Sequence, residues 1–238
     1  MKSFLRVLSL GALLLVLFLS CKNNNGKSDH ALTVHIKYDT PVNGYMVTGE
    51  FYPFDAQSET GQVELHFKAP SGGQSFIYSN VGKTENGNPE TPAKFTGLNL
   101  CEYISTDENT LFHDGDTLVF HYNTEAGILE NSSLYYYAEF QFFDVDFDGE
   151  DEFLVNDYYR GKGGNNYEVY EITPEGLNKK SFEPFDRITS STDFDAKRRV
   201  ITDVLRDGVF NTDYTEYEIA PDGNSARVLS HREEHHNY

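Results

Sequence analysis

Apolar and polar residues alternate along much of the chain, and this period of two predicts β-strands. In 32–37 every second residue from Leu32 is apolar, and the same holds in 63–68 from Val63. Alternation of this kind is typical of a strand with one buried and one solvated face. Further strands are predicted over 45–54, 75–79, 117–122, 135–143, 151–159, 166–172, 200–205, 214–219 and 226–230. Helical periodicity is almost absent, so the pattern predicts an all-β fold.

Turn-forming segments rich in Gly, Pro and Asn separate these strands. They lie at 41–44, 71–73, 173–176 and 221–224. Because short turns usually join strands that are neighbours in a sheet, we expect an antiparallel meander of roughly ten or more short strands, as a sandwich or a small propeller. The stretch around residue 130 divides an N-terminal β region (32–130) from a C-terminal one (131–230), and a polar tail (231–238) follows.

The first twenty residues have a different pattern. Lys2 and Arg6 precede an uncharged apolar run that ends at Leu19. A membrane-spanning helix needs about 20 apolar residues, and this run is shorter, so it predicts the core of a signal peptide. An ordinary secretory signal is one interpretation of this segment.

The end of that run resembles the lipobox of bacterial lipoproteins. Ser20 precedes Cys21, and Phe18 stands where the common pattern has Leu. The resemblance implies cleavage after residue 20, diacylglycerol and palmitate on Cys21, and a membrane anchor in the cell envelope. Residues 21–31 then form a polar tether. Lys22 after the cysteine, in place of Asp, implies sorting to the outer membrane.

Acidic residues outnumber basic ones by two to one. The chain has 38 Asp and Glu against 19 Lys and Arg, a net charge of −19. Loss of the signal peptide with Lys2 and Arg6 makes it −21. This charge argues against nucleic acid as a partner and favours cationic partners or divalent metal. An acidic surface that only maintains solubility is the alternative.

The segment after the strand that ends at Phe143 has the pattern of a calcium loop. Asp144, Asp146 and Asp148 with Gly149 form D-x-D-x-D-G. Alternate residues direct their oxygens to one centre, and the glycine permits the turn that follows. Strands flank the loop, and Val155 stands where an EF-hand has its bidentate Glu. We therefore predict a strand-loop-strand Ca²⁺ site, with an acidic turn without metal as the alternative.

Two more residues complete the predicted ligand set. Glu150, at the seventh position, would supply its backbone carbonyl. Glu152, at the ninth, would supply a carboxylate directly or through water.

With its flanking strands, the loop resembles a known family. The order of aromatic strand, D-x-D-x-D-G loop, apolar strand and Gly/Asn hairpin over 135–170 is similar to envelope lipoproteins with a calcium-binding all-β domain that inhibit lysozyme-like peptidoglycan hydrolases. Here Asp146 replaces the typical Asn and Glu152 the typical Asp. The resemblance covers roughly the C-terminal hundred residues. Ser71-Gly72-Gly73-Gln74 lacks the Tyr of a Ser-Gly-x-Tyr inhibitory loop.

These features predict a binding protein, with a basic peptidoglycan hydrolase as the partner that the resemblance implies. Arg160 and Lys162, in a Gly-rich hairpin, are candidates for partner contact. Glycan binding by the tyrosines of 135–137 and 158–159 is the alternative. No nucleophile with a base and an orienting group is recognisable, so we expect no enzyme activity. Cys101 is left without a partner if Cys21 carries lipid, so disulfides are not expected to hold the fold.

Overall fold

A computed structural model describes residues 32–56, 58, 60–84, 88, 90–95, 112–122, 140–157, 166–207 and 211–235. Thirteen strands lie in these ranges: β1 (Val34–Tyr38), β2 (Met46–Pro53), β3 (Gly61–Lys68), β4 (Phe76–Ser79), β5 (Thr117–Phe120), β6 (Phe140–Phe143), β7 (Glu152–Asp157), β8 (Asn166–Thr173), β9 (Gly176–Lys179), β10 (Asp193–Asp195), β11 (Val200–Asp207), β12 (Asn211–Ile219) and β13 (Ala226–His235). One 3₁₀ turn spans Phe185–Arg187. The all-β prediction is confirmed.

The strands form three sheets in the described part of the chain. The first has the order β4-β3-β2-β1-β5, the second β6-β7-β8-β9 and the third β10-β11-β12-β13. All pairs are antiparallel except β1 with β5, which is parallel. The predicted meander is therefore correct for the second and third sheets, and within the first for β1 to β4.

Strand β7 of the second sheet is buried on both faces. Phe153 and Val155 belong to a core shared with the first sheet, whereas Leu154 belongs to a core shared with the third. A strand covered on both sides is expected to be continuously apolar, as Phe153-Leu154-Val155 is. The three sheets therefore stack as layers with β7 in the middle.

The first core is mainly aromatic. Phe153 lies 4.9 Å from Phe67 and 5.2 Å from Phe76, measured between ring centroids. Phe140 contacts Phe67 edge-on at 5.2 Å. Because Phe67 and Phe76 come from the N-terminal region and the other rings from the C-terminal one, the two regions predicted from sequence share one core.

Two of the thirteen described strands are not indicated by the sequence pattern. Strand β9 has one large apolar residue, Leu177, and strand β10 has one, Phe194, so neither shows an alternating pattern. Each is defined by its pairing with the neighbouring strand. The predicted polar tail, 231–238, begins inside strand β13. Strand β13 continues to His235 because its backbone pairs with β12 as far as Asn211. Within the described residues, no helix has the length and apolar composition to cross a membrane.

Candidate functional site

The predicted loop joins β6 to β7, at one end of the middle sheet. Phe143 and Glu152 are paired across these strands, so the loop leaves and returns through adjacent positions. Val145 is fully buried in the core shared with the third sheet. The strand-loop-strand arrangement is therefore confirmed, and the apolar side chain of Val145 fixes the loop to the protein body.

Three carboxylates of this loop converge. Oxygens of Asp144, Asp146 and Glu152 all lie within 4.8 Å of one another. Asp146 and Glu152 are only 1% and 3% exposed. Calcium bonds of about 2.3–2.6 Å place two ligands of one ion at most about 5 Å apart, so this oxygen-only group fits a calcium ion in donor type and spacing.

Hydrogen bonds from the loop backbone hold these carboxylates in place. Asp144 accepts bonds from the amides of Asp148 and Gly149, each at 3.1 Å. Glu152 accepts a bond of 3.0 Å from the amide of Val145. Each bond leaves lone pairs on the carboxylate, so the oxygens are oriented and can still bind a cation.

A buried lysine also faces the site, and the sequence pattern did not predict it. Lys180, just after β9, forms an ion pair with Asp146, and its Nζ lies 3.7 Å from Oε1 of Glu152. Its side chain is 6% exposed. The chain thus supplies one positive charge to a cluster of three carboxylates and relieves part of their mutual repulsion without a metal ion.

The third sheet closes the site with Arg199 and Gly223. The Arg199 guanidinium donates to the carbonyls of Phe147 and, at 2.8 Å, Asp146, and it also donates to Ala220 at 2.7 Å. Gly223 has a φ of +66°, and a Cβ there would overlap the Asp146 carboxylate. A glycine is required at this close approach.

Burial dominates the electrostatics of the cluster. Desolvation, with the adjacent charge of Asp146, raises the pKa of Glu152 to about 8. Burial likewise raises the pKa of Asp144, although amide hydrogen bonds oppose it. Burial alone would lower the pKa of Lys180, but its bond to Asp146 and the charge of Glu152 outweigh this and raise it. Lys180 therefore stays charged, and the site favours additional positive charge.

The other predicted site residues have different outcomes. Asp148 does not join the convergent group; it is exposed, and its Oδ1 accepts a 2.8 Å bond from the amide of Glu150. The carbonyl role of Glu150 stays a prediction. Cys21, Arg160 and Lys162 lie outside the described residues, as do Cys101 and the tyrosines of 135–137 and 158–159.

Sequence reasoning missed the three residues that enclose the loop. Lys180, Arg199 and Gly223 come from three separate segments, so no local spacing connects them to the D-x-D-x-D-G pattern. The one usable signal is the predicted turn at 221–224, which contains Gly223 but gives no indication that it contacts Asp146.

Comparison with known proteins does not identify a family for the chain. No protein family model matches the chain. No curated protein matches it. A structure described as that of a Xanthomonas type IV secretion system related protein has a TM-score of 0.46 at 14% sequence identity, over 84% of this chain and 82% of its own. Similarity at this level carries no argument about fold or function.

Proposed function

We propose that the protein is a lipid-anchored, calcium-binding component of the bacterial cell envelope that acts by binding a protein partner. The observation that carries the proposal is the convergence of Asp144, Asp146 and Glu152 in a D-x-D-x-D-G loop. The lipobox-like Ser20–Cys21 junction supports the anchor and, with Lys22, an outer-membrane location.

Calcium has a structural role in this proposal. The loop contacts both outer layers. Val145 lies in the core shared with the third sheet, and Asn43, in the turn between β1 and β2, donates a 3.1 Å hydrogen bond to Asp151. An ion that neutralises the carboxylates between these contacts stabilises the packing of the layers, in the same way that any ligand of the native state stabilises it. We expect no enzyme activity.

We further propose that the partner is a basic, lysozyme-like peptidoglycan hydrolase. A net charge of −19 in the whole chain attracts a cationic protein and accelerates its association through long-range fields. The resemblance of 135–170 to hydrolase-inhibiting envelope lipoproteins points to the same partner. Arg160 and Lys162 remain candidates for a local contact with acidic groups around the hydrolase active site.

The experiment is a titration of lysozymes of several structural types with the full-length protein in detergent. The measured quantity is the rate of peptidoglycan hydrolysis. We expect inhibition of at least one type that weakens strongly between low and high salt, because screening shortens the reach of the surface charges. Arg160→Ala with Lys162→Ala tests the hairpin contact.

Two results would contradict the partner proposal. One is inhibition that does not change with salt, and the other is no effect on any lysozyme type. Retention on an array of envelope glycans, together with the second result, would favour the glycan-binding alternative. The calcium proposal is tested separately, since calcium binding does not depend on a partner.

A further inference from the structure

A second group of metal-ligating side chains lies on the third sheet, away from the calcium-like loop. Donor atoms of Asp213, His231 and Glu233 all lie within 4.8 Å of one another. Asp213 is half-buried, while the side chains of His231 and Glu233 are 54% and 57% exposed. Unlike the loop, this group offers an imidazole nitrogen as well as carboxylate oxygens.

The pairing of β12 with β13 places these residues on one face. Asp213 is directly opposite Glu233, and the next pair on the same face is Thr215 with His231. Side chains at such positions are about 4.5–5.5 Å apart at Cβ when directly opposite, and diagonal neighbours are also within reach. Backbone hydrogen bonds along the ladder therefore fix the spacing, and only the side chains need to adjust.

The imidazole of His231 is oriented for metal binding. Its Nδ1 lies 3.1 Å from Oγ1 of Thr215, and its Nε2 lies 4.0 Å from Oε1 of Glu233. When Nδ1–H donates to the threonine hydroxyl, Nε2 presents its lone pair towards the two carboxylates. Metal-binding histidines are commonly held in this way by a hydrogen bond from the other ring nitrogen.

Among the described residues, no lysine or arginine forms an ion pair with Asp213 or Glu233, although the imidazole Nε2 of His235 also lies 3.9 Å from Oε2 of Glu233. Two carboxylates directly opposite each other repel. The closest arginine in sequence, Arg232, points to the opposite face, where it stacks 3.9 Å from the ring centroid of Tyr214 and pairs with Glu234. A bound cation would remove the repulsion between Asp213 and Glu233.

We propose that Asp213, His231 and Glu233 form a binding site for a divalent transition metal ion, with Zn²⁺ as the favoured occupant. One imidazole with two carboxylates suits Zn²⁺, which takes nitrogen and oxygen ligands at about 2.0–2.2 Å and leaves a fourth position for water or a partner's side chain. Ca²⁺ is disfavoured here because it takes oxygen ligands. The proposal is independent of the calcium loop and of the hydrolase partner.

The test is zinc titration by calorimetry of the full-length, untagged protein in detergent, with excess calcium present throughout to occupy the loop. We expect one zinc ion per chain that calcium does not displace, and an absorption spectrum of four-coordinate cobalt when Co²⁺ replaces Zn²⁺. His231→Ala and Asp213→Asn should each weaken zinc binding at least about tenfold, since even outer-shell partners cost 10–100-fold. Thr215→Val should weaken zinc binding by about tenfold, which is the lower end of that range.

Matched controls separate this site from other histidines. His66→Ala removes an exposed strand histidine 2.9 Å from Glu64 in the first sheet and should leave zinc affinity unchanged. Unchanged affinity in His231→Ala overturns the proposal, as does loss of binding in His236→Ala alone, which would assign the ion to the chain terminus. Displacement of zinc by calcium also overturns it, because the ion would then lie in the loop.

Discussion

Replacing Lys180 by Met tests how the carboxylate cluster is neutralised. The substitution keeps the length of the side chain and removes its charge, so Asp146 and Glu152, which are 1% and 3% exposed, lose their buried cation. Removing one partner of a buried ion pair costs about 3–5 kcal/mol because the remaining charge stays desolvated. For a chain of this size, that corresponds to a melting temperature about 6–20 °C lower in calcium-free buffer.

Calcium should restore much of this loss. A divalent ion placed among the carboxylates supplies the missing positive charge. In the variant the ion is also no longer repelled by the Lys180 ammonium a few ångströms away. That repulsion amounts to several kcal/mol at an effective dielectric constant of about 20. We therefore expect Lys180→Met to bind calcium at least about tenfold more tightly than the wild type, which is a difference of about 1.4 kcal/mol.

The assay is thermal unfolding of both proteins with chelator and across a calcium series. Lys179→Met is the matched control, because Lys179 is 46% exposed, pairs with Glu168 at the surface and should change stability by no more than about 1 kcal/mol. The reasoning is refuted if Lys180→Met melts at the wild-type temperature without calcium, or if calcium shifts both proteins equally.

Three further predictions concern the lipid anchor, the aromatic core and the loss of stability at low pH. Cys21→Ser should give an uncleaved or unlipidated protein that no longer partitions into detergent, and unchanged partitioning would contradict the lipobox. Phe153→Ala should lower the free energy of unfolding in urea by about 3–5 kcal/mol, since the ring is fully buried; a loss below about 1 kcal/mol would contradict the layered core. Burial would raise the pKa of Glu168, but hydrogen bonds from Lys179 and Tyr170 outweigh it and lower the pKa. The stabilisation by ionised Glu168 is therefore present above the unfolded pKa of about 4.3 and is lost as the pH falls through the folded pKa. Glu168→Gln should lose less stability than the wild type between pH 6 and pH 3. Equal losses in the two proteins would contradict this.

The alternation of apolar and polar residues was sufficient to predict most strands. In β1, Val34, Ile36 and Tyr38 are buried and the residues between them are exposed, as the sequence pattern predicts. The pattern did not predict that β5 pairs with β1 in parallel, because the choice of a distant partner depends on packing between layers and leaves no trace in local periodicity.

The candidate site was predictable only in its local part. The aspartates share one loop, and their spacing predicts the convergence of Asp144 and Asp146, but it also predicts that of Asp148, which does not join the group. Lys180 reaches the loop from the end of another strand, and the sequence around it has no feature that distinguishes it from exposed Lys179. Burial of a long charged side chain results from tertiary contacts, so the counter-ion and the residues that enclose the loop had to come from the structure.

Calcium-dependent unfolding of the wild type tests the central claim most directly. Exported calcium sites bind at about 10⁻⁴ to 10⁻³ M, so roughly 5 mM calcium should add about 1 to 2.3 kcal/mol of stability, and magnesium should add less because it requires a tighter octahedron. Combined replacement of Asp144 and Asp148 by Ala should abolish the response. A calcium-induced shift in that double variant equal to the wild-type shift would contradict the calcium site and leave the loop as an acidic turn.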